Sequence, residues 1–144
     1  MRISAKAEYA CVAMLELAAK HGDPQPLRIK SIKAAHDLPQ PFLVQLLLEL
    51  KKAGLVTSVR GASGGYRLTR SPDDITLADI ISAIDDRALM LSSHLGARKG
   101  GPAIDAVLGV WRDLHAEQQR MLEGLTLGEL LRRAQENGSF AYQI

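Results

Sequence analysis

Thiols are nearly absent from this chain: Cys11 is the only cysteine in 144 residues. One cysteine excludes an intrachain disulfide and any thiolate-rich metal site built by a single chain. Aromatics are scarce too, at 4%, so an apolar fraction of 47% must be met by Leu, Ile, Val and Ala. A core of that kind leans helical. No apolar run reaches the roughly 18 residues that a membrane span needs. The opening stretch, MRISAKAEYACVAML, has its apolar face broken by Lys6 and Glu8. A secretory leader would be continuous there, so a cytoplasmic protein without a membrane partner is expected. No paired-carboxylate, Ser/His/Asp or Cys/His constellation stands at meaningful spacing, which argues against an enzyme, and no cofactor is expected.

The small net charge of +2 hides a split. Residues 1–72 hold eleven Lys/Arg against five Asp/Glu, a net of +6, while residues 73–144 hold seven against eleven, a net of −4. Only the first half is suited to meet a polyanion.

Ala7, Ala10, Cys11, Met14, Leu15 and Ala18 recur at helical spacing over residues 5–19, with Ser4 placed as an N-cap. HGDPQP then forces a loop. IKSIKAAHDL reads as a short helix, and Pro41 opens another in which Leu43, Leu46, Leu47 and Leu50 form a stripe ending at Gly54. Two short helices joined by a brief turn, the second amphipathic, make a helix-turn-helix. LVTSV and YRLT flank the glycine loop as half-buried strands. That loop, SVRGASGGYRLTR, has neither the GK[ST] of a Walker loop nor a helix after it, so it is the tip of a β-hairpin. Thr76 and Asp79 form a capping box before ITLADIISAID, and residues 88–102 look irregular. Ile104, Val107, Leu108, Trp111, Leu114, Met121 and Leu122 then stripe a long helix. That stripe wants a partner, most simply a second copy of the chain. Thr126 and Glu129 cap a short last helix.

The order helix, helix-turn-helix, hairpin is a winged helix: mainly α with a small β-hairpin wing, followed by a long C-terminal dimerisation helix. The expected division is residues 1–86 for DNA binding, 87–102 for a mobile, sensor-like loop, and 103–144 for the dimerisation and last helices. In such a design the second helix enters the major groove of double-stranded DNA and the wing lies along the backbone or in the minor groove. Off the leucine stripe, that helix offers Gln40, Val44, Gln45, Leu48, Lys51 and Lys52. Gln45 is the best base reader, since glutamine can pair with adenine, and Gln40 is a lesser one. Val44 and Leu48 either meet thymine methyls or pack against the wing. Lys51 and Lys52 fit phosphates or the helix dipole better than bases. In the wing, Arg60 reaches the backbone or a narrow minor groove, and Gly61, Ser63, Gly64, Gly65 and Tyr66 line the approach. The alternative is that the glycines merely permit a tight turn and Arg60 is solvated.

MRISAKAEYACVAMLELA, KKAGLVTSVRGASGGYRLTRSPDDITLADIISAID and WRDL…LTLGELL together resemble the Rrf-two type of bacterial transcription regulators. The signature is RGxxGGY followed by LxRxPxxIT, and the likeness runs over nearly the whole chain. It implies a winged-helix homodimer, held by the long C-terminal helix, that binds imperfect palindromes in promoters; whether it acts as a repressor or an activator depends on where the site lies in a promoter. It also implies DNA contacts from Lys6, Phe42, Gln45, Arg60 and the wing glycines. Val44 departs from the glutamate that members commonly place there, and Phe42 from a frequent tyrosine.

Iron–sulfur members of that family place three cysteines between the fourth helix and the dimer helix, where this chain has DDRALMLSSHLGARKGGPAID. Asp105 stands where the last cysteine belongs and Leu108 where a histidine ligand does. Glu8 could serve as a first-helix ligand, but Val12 could not. A thiolate-held cluster is therefore not expected in that loop. Cys11 and His94 remain as candidate sensors, although a lone cysteine in an apolar stripe is usually a small buried hydrophobe. Control through a docked protein partner or through modification of Cys11 is the alternative.

Overall fold

The computed structural model describes residues 2–138. Helix α1 spans Ala5–Ala19, and the Ser4 hydroxyl accepts from the Ala7 amide at 3.1 Å, as the sequence predicts. Helix α2 is Ile29–His36 and α3 is Gln40–Lys52, with Pro41 in the first turn of α3, where its missing N–H costs nothing. Between them Asp37 takes a left-handed conformation at φ 51°, which closes the tight turn. Gly54 follows α3 at φ 79° and ends it.

Strands β1 (Val56–Val59) and β2 (Gly65–Leu68) pair antiparallel, Val56 opposite Leu68 and Val59 opposite Gly65. Leu27 adds a one-residue third strand to the wing: its amide and carbonyl exchange bonds of 2.9 and 2.8 Å with Tyr66. The complete capping box at Thr76 and Asp79 opens α4 (Leu77–Ile84). Helix α5 is Pro102–Gly124, and α6 is Leu127–Glu136, where the Thr126 hydroxyl accepts from the Glu129 amide at 3.1 Å.

Met14, Ile32, Leu43, Leu46, Leu47, Leu50, Ile75, Ile80 and Leu127 are fully buried in one core that α1, α3, the wing strands and α6 share. The α5–α6 elbow is stitched to this core by backbone bonds, Leu77 amide to Leu125 carbonyl at 2.9 Å and Leu127 amide to Ile75 carbonyl at 2.8 Å.

Between α4 and α5 stand two 3-10 turns, Asp86–Leu89 and His94–Ala97, and Ala88 is buried against Ala78, Ile81 and Leu122. One expectation needs correction. Leu122, expected to face a partner, is only 7% exposed and completes that second cluster inside its own chain. It lies in the last turn of α5, which packs on α4, so the helical stripe changes its neighbour before it ends.

Candidate nucleic-acid interface

Helix α3 has two faces of opposite character. Leu43, Leu46, Leu47 and Leu50 are wholly inaccessible, while Gln40, Val44, Gln45, Leu48, Lys51 and Lys52 all face solvent. Val44 and Leu48 are 40% and 43% exposed, so they do not pack under the wing. The Lys51 ammonium donates to the Ser58 hydroxyl at 2.8 Å, tying the end of α3 to β1. Phe42 is half-buried and meets Tyr9 of α1 edge to face, ring centroids 5.7 Å apart. Lys6 also turns inward, with its ammonium 2.7 Å from the Glu49 carboxylate. A phosphate would have to compete with that pair for Lys6.

Arg60 stands exposed where β1 gives way to the turn. Gly61 needs its φ of 107°, which other residues rarely adopt. The remaining wing glycines answer to the chain itself. A Cβ on Gly64 would lie 2.2 Å from the Val59 carbonyl oxygen, and one on Gly65 would lie 2.4 Å from that of Leu27. The Gly64 amide is already spent on the Gly61 carbonyl at 2.9 Å. Tyr66 is half-buried and both its backbone groups bond Leu27. The exposed tip therefore narrows to Arg60, Gly61, Ala62 and Ser63.

Sequence reasoning missed Leu27, Arg28 and Tyr9. The Arg28 guanidinium donates to the Ala62 carbonyl at the wing tip, and Arg67 donates to the Pro24 carbonyl at 2.6 Å. Only the apolar–polar alternation around Leu27 could have hinted at a third strand.

Away from this surface, α5 carries apolar side chains that nothing among the described residues covers. Trp111, Leu114 and Met121 are 41%, 52% and 62% exposed, and Val107 joins them. Val110, which the sequence reading passed over, is exposed as well, whereas Ile104 and Leu108 are half-buried. A groove of about 1020 Å³ runs beside Trp111 and Leu114, walled by residues 2–5 and by Leu89, Met90 and Leu91. Cys11 is half-buried on α1, and its thiol is pushed up to about 11, first by burial and then by the Glu8 carboxylate. His94 is exposed in the second 3-10 turn. Among the described residues no three His, Cys, Asp or Glu side chains stand together as a metal site.

Residues 3–133 match the family described as Rrf2, iron-dependent transcriptional regulator. The chain belongs to the Rrf2 family. The IscR transcriptional regulator of Aliivibrio salmonicida is 38% identical over 133 residues, spanning 91% of this chain and 77% of that protein. CymR of Bacillus subtilis is 47% identical over 85 residues, covering 59% of this chain and 61% of that one. Among solved structures, CymR, the global cysteine regulator of B. subtilis, superposes with a TM-score of 0.83 at 34% identity, over 92% of this chain and 98% of that chain. IscR of T. potens superposes with a TM-score of 0.75 at 35% identity, over 95% and 90%. The chain is thus an Rrf2 transcriptional regulator and not an enzyme, with the family's winged-helix fold. Among the described residues no helix is long and apolar enough to cross a membrane.

The iron in the family's description meets no group of three His, Cys, Asp or Glu side chains among the described residues. Residues 85–105 hold no thiol, and the single thiol of the chain sits half-buried in α1 with its proton held tightly. These residues do not fit a thiolate-held cluster.

Proposed function

We propose that this Rrf2 regulator works in the cytoplasm as a homodimer on palindromic promoter sites, without a thiolate-ligated iron–sulfur cluster. The observation that carries the reading is the outward face of α3. Its exposed glutamines, Val44, Leu48 and two lysines stand beside a wing tip bearing Arg60, and its other face is wholly buried. An exposed, mixed polar and apolar helix face in the basic half of a chain fits the major groove. Gln45, with Gln40 nearer the helix start, reads base edges. Val44 and Leu48 meet thymine methyls. Arg60, Gly61, Ser63 and Lys52 follow the phosphates. Lys6, Phe42, Lys51 and Tyr66 hold the frame of the surface, because each is engaged within the chain.

The uncovered face of α5 supports dimerisation, since exposed valines, Trp111, Leu114 and Met121 along one helix are costly in water. Repression follows if the site overlaps a promoter. Cys11 acts as a core residue and not as a sensor.

Fluorescence anisotropy across a salt series tests the reading. Wild-type affinity for duplex DNA is expected to fall steeply with salt, and Arg60→Ala to lower the log–log slope by about one while weakening all duplexes alike. Binding that is absent, or indifferent to salt, would overturn it.

A further inference from the structure

Arg28 is the N-cap of α2 and an unsuitable one. It makes no side-chain capping bond, as a guanidinium has nothing with which to accept from a helix amide. It also sets a cation at the positive end of the helix dipole. The residue type is explained by what it reaches instead: its Nη2 donates to the Ala62 carbonyl, at the apex of the wing. The same connector is held twice more. Leu27 exchanges two backbone bonds with Tyr66, and the Arg67 guanidinium bonds the Pro24 carbonyl at 2.6 Å. Those two fix the strands of the wing, and Arg28 alone of the three reaches its tip. Ala62 lies two residues from Arg60 and next to Gly61, in a tip closed on its other side by the bond from the Gly64 amide to the Gly61 carbonyl at 2.9 Å.

We propose that Arg28 is a positioning residue for DNA binding: it ties the wing tip to the start of the helix-turn-helix and so sets where Arg60 meets the duplex. On DNA the inference rests on the function proposed above, but the tie itself exists in the free protein. A tip held in place loses less freedom on binding than a loose one.

The test has two arms, both on the full chain. In the first, hydrogen exchange followed by mass spectrometry compares the wild type with Arg28→Ala in the absence of DNA. The Gly64 amide, bonded to the Gly61 carbonyl across the tip, is expected to exchange about fivefold faster, roughly what one ordinary hydrogen bond is worth. Peptides from α1 and α3 should not change. Unchanged exchange at Gly64 would overturn the proposal. So would faster exchange everywhere, which would make Arg28 a general stabiliser.

In the second arm the probe is a duplex recovered by the wild-type protein from a randomised pool. Arg28→Ala is expected to weaken binding about fivefold, and by less than about twofold when Arg60 is already alanine, because coupled residues do not add. Equal losses in both backgrounds would make Arg28 an independent phosphate contact and overturn the positioning role. If the wild type recovers no duplex, the DNA-binding function fails, and the exchange arm still decides whether the tie exists.

Discussion

At Gly65 an added methyl group would stand 2.4 Å from the Leu27 carbonyl oxygen, and that oxygen is backbone held in a two-bond pair. It cannot swing aside as a side chain would. Gly65→Ala is therefore expected to cost about 1–3 kcal/mol, through overpacking and a disturbed third strand. Urea unfolding midpoints of the two proteins measure it. The sequence shows that the glycine is there but not why, because the atom that excludes a side chain comes from a distant connector. Cys11 was more legible: its place in the α1 stripe predicts burial, and burial is what raises its thiol from 9.0 to about 11. The raised value means that the folded chain holds the thiol proton more tightly than the unfolded one does. That contribution to stability is intact below about pH 9 and is lost as pH climbs through 11. At pH 8, alkylation by iodoacetamide is expected to be roughly a hundredfold slower in native than in urea-unfolded protein, following the thiolate fraction. Equal rates would contradict the burial.

Among the elements, those with a strong period were readable and those without were not. Helices α1, α3 and α5 each carry an apolar stripe at three and four, and the capping side chains at Ser4, Thr76 and Thr126 all make the bonds their positions imply. The alternating strands around the glycine loop were legible for the same reason. A one-residue strand at Leu27 and the 3-10 turns at 86–89 and 94–97 have no period to find. In the candidate site, periodicity separated the two faces of α3 but could not say which exposed cations are already engaged. Lys6 with Glu49, and Lys51 with Ser58, are tertiary pairs. On α5 the exposed part of the stripe gives a prediction for the element. Leu114→Glu is expected to turn the proposed dimer into a monomer at micromolar concentration without unfolding the chain, since Leu114 is 52% exposed and leaves no cavity. Sedimentation velocity reports the change, and a variant that stays dimeric would place the interface elsewhere.

The whole molecule joins a basic half to an acidic half through one shared core, in which Leu127 of the last helix is buried with Met14 and Leu50. The α5–α6 elbow is bonded directly to the start of α4, so a second copy docked on α5, as proposed, would bear on the same core that carries α3 and the wing. In a dimer this sets the spacing of two recognition helices, and half-sites about one helical turn apart are expected. Native mass spectrometry of anaerobically purified protein should find a dimer with no mass beyond its two chains, whereas reproducible excess mass would contradict a cluster-free regulator. Selection of duplexes from a randomised pool, with wild type and Gln45→Ala side by side, tests the central claim most directly. The expected result is a two-fold symmetric motif for the wild type, with preference relaxed at one position in each half-site for the variant. No enriched motif, an asymmetric one, or an identical motif from both proteins would contradict α3 as a paired reading helix.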